Sequence, residues 1–180
     1  MLVIDAASLG GPDGGTELRR LVRLNAAPSI AVAALSDREP YVFAALQLGA
    51  CGVVLRSWPI DERAGALLEL HEGGVALTPY LAGLVMLALA RPVVAGGADN
   101  TLGYAADLVA MGLMRDGFSA NSIARTMRLP LPAVRNHLRR ALRRLSEDGP
   151  GGDRLLGAGV PRRPSPGLLE AAAAEVVPNQ

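Results

Sequence analysis

The chain has 180 residues, enough for one medium domain or two small ones and too few for a large barrel or a many-stranded enzyme. Apolar residues make up 50% and charged residues 19%, which supplies a packed core and excludes a disordered polyelectrolyte. The formal net charge of +1 conceals an uneven distribution. Residues 1–98 carry 7 Arg against 9 acidic residues, 99–146 carry 8 against 3, and 147–180 carry 3 against 5. A polyanion would therefore be met by the middle segment alone. All 18 basic side chains are Arg, a compositional bias that carries no functional reading. Cys51 is the single cysteine, which excludes an internal disulfide framework and a multi-cysteine zinc site and fits a reducing cytoplasm. His71 and His137 have no cysteine near them, and neither a metal nor a cofactor is expected.

From the N-terminus, Leu2-Val3-Ile4 reads as a buried strand; no basic segment precedes it, so no signal peptide is expected. Gly10 to Gly15 reads as a loop, Thr16 to Leu24 as a helix and Ile30 to Leu35 as a second strand. Ser36-Asp37 opens a helix with Pro40 in its first turn, an inward face of Val42, Ala45, Leu46 and Leu48, and a stop at Gly49. Gly52 to Leu55 is a third strand. Asp61 to His71 is the next helix, with Leu67, Leu68 and Leu70 apolar and Gly73-Gly74 ending it. Cys51, in the stretch Gly49 to Gly52, reads as a small buried filler. Strands alternating with helices at this spacing imply parallel pairing, so the region is α/β.

Residues 73–90 lack charge, but two glycines and Thr78-Pro79 interrupt them, leaving an apolar helix from about Tyr80 to Ala90 that is too short to cross a bilayer. Pro92, Gly96 and Gly97 then mark a linker over 91–100. Beyond it the pattern is helical: Leu102 to Met114, a second helix capped by Ser119, and a third from Leu131-Pro132 to about Leu145. Residues 147–180 are rich in Gly and Pro and predict a disordered tail.

In the third helix Val134, Leu138, Ala141, Leu142 and Leu145 form one apolar stripe at the 3.6-residue period. Arg135, Asn136, Arg139, Arg140 and Arg143 fall on the opposite side. Arg reads guanine O6 and N7 with paired hydrogen bonds and Asn does so for adenine, so this face suits a major groove, while Arg143 and Arg144 suit phosphates. The short connection Arg128-Leu129-Pro130 sets the helix at an angle to its predecessor, as in a helix-turn-helix.

Asp116-Gly-Phe-Ser-Ala-Asn-Ser-Ile-Ala124, Met127-Arg-Leu129, Ala133-Val-Arg-Asn-His-Leu138 and Arg144-Leu145 resemble the LuxR-type helix-turn-helix of bacterial transcription regulators. The resemblance covers about 102–146. It implies base contacts by Arg135, Asn136 and Arg139, and a position beside the DNA backbone for His137. Ala133 stands where the family usually has Thr, and Pro130 where it has a capping Ser. Residues 1–90 in turn resemble the receiver domain of NarL/FixJ-type response regulators. Val3-Ile4-Asp5 with Gly10 to Gly14 matches the phosphoacceptor strand and its loop, Ile30 to Asp37 the fourth strand, and Gly49 to Arg56 the fifth.

That resemblance implies a flavodoxin-like, N-terminally truncated receiver. The opening strand-helix-strand and its acidic pair are absent, Arg56 stands at the family's Lys position and Ala34 at its Thr or Ser position. Asp5 is then a vestigial phosphoacceptor, and Mg²⁺-assisted phosphoryl transfer is not expected. The first strand would present an apolar edge open to a second copy or a partner protein.

The expected architecture is a partial receiver-like α/β domain over 1–90, a linker over 91–100, an all-α helix-turn-helix domain over 101–146 and the tail. The expected function is a cytoplasmic, phosphorylation-independent regulator that binds double-stranded DNA and does not contact membrane. The alternative is a protein-interaction module that pairs with full-length regulators or RNA polymerase without specific DNA binding. An enzyme is not expected, since no nucleophile, base and orienting group recur together, and the Gly10 to Gly15 loop lacks the Lys-Ser/Thr of a nucleotide loop.

Overall fold

A computed structural model describes residues 1–11, 13–24, 29–89 and 101–148. The chain is a mixed α/β protein with a three-stranded parallel sheet and seven α-helices among the described residues. The strands are β1 (Leu2–Asp5), β2 (Ile30–Ala34) and β3 (Gly52–Leu55), ordered β1-β2-β3, with Leu2 opposite Ile30 and Ala31 opposite Gly52. The helices are α1 (Gly14–Val22), α2 (Pro40–Gln47), α3 (Ile60–His71), α4 (Pro79–Leu89), α5 (Thr101–Arg115), α6 (Ala120–Met127) and α7 (Leu131–Asp148). The three strands and the order of elements agree with the sequence reading. The linker over 91–100 and nearly all of the tail lie outside the described residues.

Local chemistry sets the boundaries. Pro40 occupies the first turn of α2, and the Glu39 carboxylate turns back to accept the Leu35 and Ser36 N–H groups at 2.6 and 3.0 Å. The α3 first turn carries Asp61 and Glu62, favourable at the positive end of a helix dipole. Thr78 Oγ1 accepts from the Leu81 N–H at 3.2 Å and donates to Asp37 at 2.7 Å, tying the start of α4 to the turn after β2. One detail differs from expectation. The Gly10 to Gly15 segment is not all loop, because a 3-10 turn spans Ala6–Gly10 and α1 already begins at Gly14. Leu68 is 57% exposed, since the α3 face that packs on the sheet is set by Leu70, and Leu68 points away from it.

Strand alternation separates two apolar layers. Ala31 and Val54 pack with Leu70 and Ala76 on the α3 side. Ile30, Val32, Ala34, Val53 and Leu55 face the other way into a larger cluster that continues through Leu46, Leu81, Val85, Met111, Ile123, Val134 and Leu138. α4 belongs to this cluster and is apolar on nearly every side, as a helix buried between layers must be. It packs on α5 and α7, and α2 also packs on α7. The α/β half and the α5–α7 half thus share one core. No helix among the described residues is long and apolar enough to cross a membrane.

Among the described residues β1 is an edge strand paired with β2 alone, and its Val3 is 45% exposed. At the sheet's other side, Gly52 bridges Ala76, and a Cβ on Gly52 would meet the Ala76 backbone at 2.5 Å.

Because the core is continuous, Leu81→Ala, which empties a fully buried position on α4, is expected to lower stability by about 2–5 kcal/mol. Urea denaturation followed by circular dichroism should show one transition displaced as a whole. Two transitions, only one of them displaced, would show that the halves unfold independently.

Candidate functional site

The segment α5–α6–α7 is a three-helix unit whose joints are set locally. Gly117 takes φ +89° after α5, Ser119 Oγ caps α6 by accepting from Ser122 N–H at 3.3 Å, and α6 ends on Arg128, the one non-glycine residue at positive φ (54°) among the described residues. An αL cap on Arg128 turns the chain sharply, and Pro130 carbonyl then receives the first N–H groups of α7. All five predicted stripe residues, Val134, Leu138, Ala141, Leu142 and Leu145, are buried. α7 runs to Asp148, two residues past the boundary read from the sequence, so the start of the expected tail is helical.

The predicted cationic face divides three ways. Arg135 was expected to point outward, and it does not. It is only 14% exposed and lies against the C-terminal end of α3. There its Nε donates to Glu69 Oε1 at 2.9 Å and its Nη2 donates to Glu69 Oε2 at 2.7 Å and Glu72 Oε2 at 2.5 Å. The reason is electrostatic. Two carboxylates at a helix C-terminus face the negative end of the dipole, and a forked guanidinium relieves both repulsions at once. Hydrogen bonding to Glu69 is the main cause that holds the Arg135 pKa above its ordinary value.

Gly74 makes this approach possible: a Cβ there would collide with the Glu69 carboxylate. Gly73, at φ +83°, lies under Arg139, whose Nη1 is 3.2 Å from where a Cβ would stand. The Gly73-Gly74 pair, read from the sequence as a helix stop, also opens the way for two arginines of α7.

His137, Arg140 and Arg144 turn instead to Asp107 of α5. His137 Nδ1 lies 2.7 Å from Asp107 Oδ1, Arg140 donates to both oxygens at 2.7–3.2 Å, and Arg144 Nη1 stands 3.3 Å from Oδ2. The ring nitrogen is also 2.8 Å from Arg140 Nη2, two groups that do not both donate to each other, so Nδ1–H is assigned to the carboxylate. Asp107 is 1% exposed, and its hydrogen bond holds the Arg140 pKa above its ordinary value. Arg144 further stacks over Tyr104 at 4.9 Å, while Tyr104 donates to the Leu89 carbonyl at the end of α4 at 2.5 Å. His137 thus braces α7 on α5, where the resemblance had implied a place beside a DNA backbone.

Asn136, Arg139 and Arg143 remain exposed and line a cleft of about 590 Å³, across from Val22 and the Gly49–Cys51 stretch. The guanidinium groups of Arg139 and Arg143 meet no carboxylate among the described residues. Cys51, expected as a buried filler, is half-buried on the far wall of this cleft.

Asp5 caps the 3-10 turn by accepting from the Ala7 N–H at 3.0 Å and pairs with Arg56 at the end of β3. That pairing joins the two positions the receiver resemblance singled out. Among the described residues no group of His, Cys, Asp and Glu has the arrangement to hold a metal ion.

Sequence reasoning missed Asp107, Glu69 and Glu72. A signal for Asp107 existed: it is the only charged residue of α5 before Arg115. No family model matches the chain, and no curated protein matches it.

Removing the Asp107 charge leaves three cationic or polar partners around a nearly inaccessible site. Asp107→Asn is expected to lower unfolding free energy by about 3 kcal/mol, read from urea midpoints at constant m-value. A loss under about 0.5 kcal/mol would mean that the cluster is solvated and contributes little.

Proposed function

We propose that the chain is a DNA-binding transcription regulator of the LuxR-type helix-turn-helix class, independent of phosphorylation, in which α7 is the reading helix. The carrying observation is the charge imbalance on that helix. Among the described residues Arg139 and Arg143 meet no carboxylate after Asp107, Glu69 and Glu72 have taken up Arg135, Arg140 and Arg144, and Asn136 lies beside them. α6, the αL turn at Arg128 and the amphipathic α7 supply the helical joint through which such a face meets a major groove. Independence from phosphate rests on the absence of the acidic pair that would hold Mg²⁺ beside Asp5 and on Ala34 standing at the family's Thr or Ser position. A cytoplasmic site of action goes with this reading.

The arrangement is a closed one: α3 and the Gly49–Cys51 stretch stand where a duplex would have to lie against Arg135 and Arg139. DNA binding then requires α7 to part from α3, and the Arg135 pairs with Glu69 and Glu72 are the polar contacts to be broken. The same observation favours a second reading, an interaction module that pairs with full-length regulators or polymerase and does not read a sequence, since the foremost base-reading candidate is consumed inside the molecule.

Selection from a randomised duplex library at two salt concentrations separates the two. Glu69→Gln with Glu72→Gln, or Gly74→Ala, weakens the closing contact and is expected to raise duplex affinity about tenfold, with a sequence preference that Arg139→Ala abolishes and a steep fall with salt. Failure of the released variants to bind any duplex, or uniform weak retention of all sequences, would overturn the first reading in favour of the second.

A further inference from the structure

The cleft between α7 and the α2–β3 connection has a composition that neither packing nor the closing contact uses. Its α7 side presents Asn136, Arg139 and Arg143, with Arg140 turned toward Asp107. Its opposite side is Val22, Ile30 and the small residues Gly49, Ala50 and Cys51. None of the described lining residues is acidic. Arg139 and Arg143 are four residues apart on one helix face, a backbone rise of about 6 Å. Two like charges at that spacing repel unless an anion lies between or before them.

A volume of about 590 Å³ lies within the range of small-molecule sites. The facing wall of small side chains leaves the space open, and the Asn136 amide adds a donor and an acceptor at its rim.

We propose that this cleft binds a small molecule carrying two neighbouring anionic groups, a diphosphate or a compact polycarboxylate, with one group on Arg139 and the other on Arg143. Such a ligand touches both halves of the molecule and holds α7 in the closed position. On the DNA-binding reading above, it competes with the duplex for Arg139 and acts as an effector that withholds the reading helix. The binding claim itself does not depend on that reading.

The test is a calorimetric titration of the full chain, without DNA, using inorganic pyrophosphate in one arm and citrate in the other, with orthophosphate as the single-anion control. Pyrophosphate or citrate should bind at least about tenfold more tightly than orthophosphate, and the tighter of the two identifies the chemical class. Arg139→Ala and Arg143→Ala should each weaken that binding about tenfold, the range expected when a hydrogen bond to a charged group is lost.

Cys51 reports independently in the unmodified protein: saturating ligand should slow its alkylation by iodoacetamide at least about fivefold, because the thiol stands on the cleft wall. The proposal is overturned if neither probe binds at about 10 mM. It is also overturned if the double arginine variant binds within about twofold of the original, or if alkylation of Cys51 is unchanged at saturation. A chain that binds pyrophosphate with these dependences but no duplex would sink the DNA reading and leave the site standing.

Discussion

The register of α7 is the constraint on which the rest depends. One helix carries both the stripe that completes the core and the arginines that make the chain's middle basic, and the 3.6-residue period ties the two together rigidly. Once Val134, Leu138 and Leu145 are seated, Arg135 has to face the end of α3, Arg140 and Arg144 have to face α5, and Arg139 and Arg143 have to face the cleft. No rotation of the helix frees one set without unseating the stripe. The cationic face is exposed or covered by moving α7 as a body, and the continuous apolar cluster through α4 resists that movement.

Two kinds of electrostatic contact hold α7, and they differ in what they restrain. Asp107 is nearly inaccessible and belongs to the same three-helix unit, so its ties to His137, Arg140 and Arg144 brace that unit internally. Glu69 and Glu72 belong to the α/β half, and Glu72 is 45% exposed, so this contact is the more accessible to water and salt. The brace within the three-helix unit is the more buried of the two, and the contact between halves is the more open to screening.

Much of the fold was legible because it is written in local signals. The three strands are short apolar runs bounded by Gly, Pro and Asp, and the α7 stripe is a plain helical period; both were placed to within a residue or two. Ser119 as a cap and the glycine after α3 followed from terminus chemistry. What was not legible is long-range. Arg135 and Glu69 are 66 positions apart, and nothing along the chain says that a basic residue opposite an apolar stripe meets a carboxylate in place of water. The polar face of α7 was thus legible by residue type and helical period, while the partners of its side chains came from packing of two regions that the sequence presents as separate.

The Asp107 cluster bears on how such a chain can diverge. One carboxylate answers for three side chains of the neighbouring helix, so a neutral residue at 107 strands several cations together, whereas exchange at 137, 140 or 144 alone disturbs one link. Descendants should keep or lose the carboxylate and its guanidinium partners as a group, and positions 107, 140 and 144 should drift in concert across an alignment while 139 and 143 vary to their own rhythm.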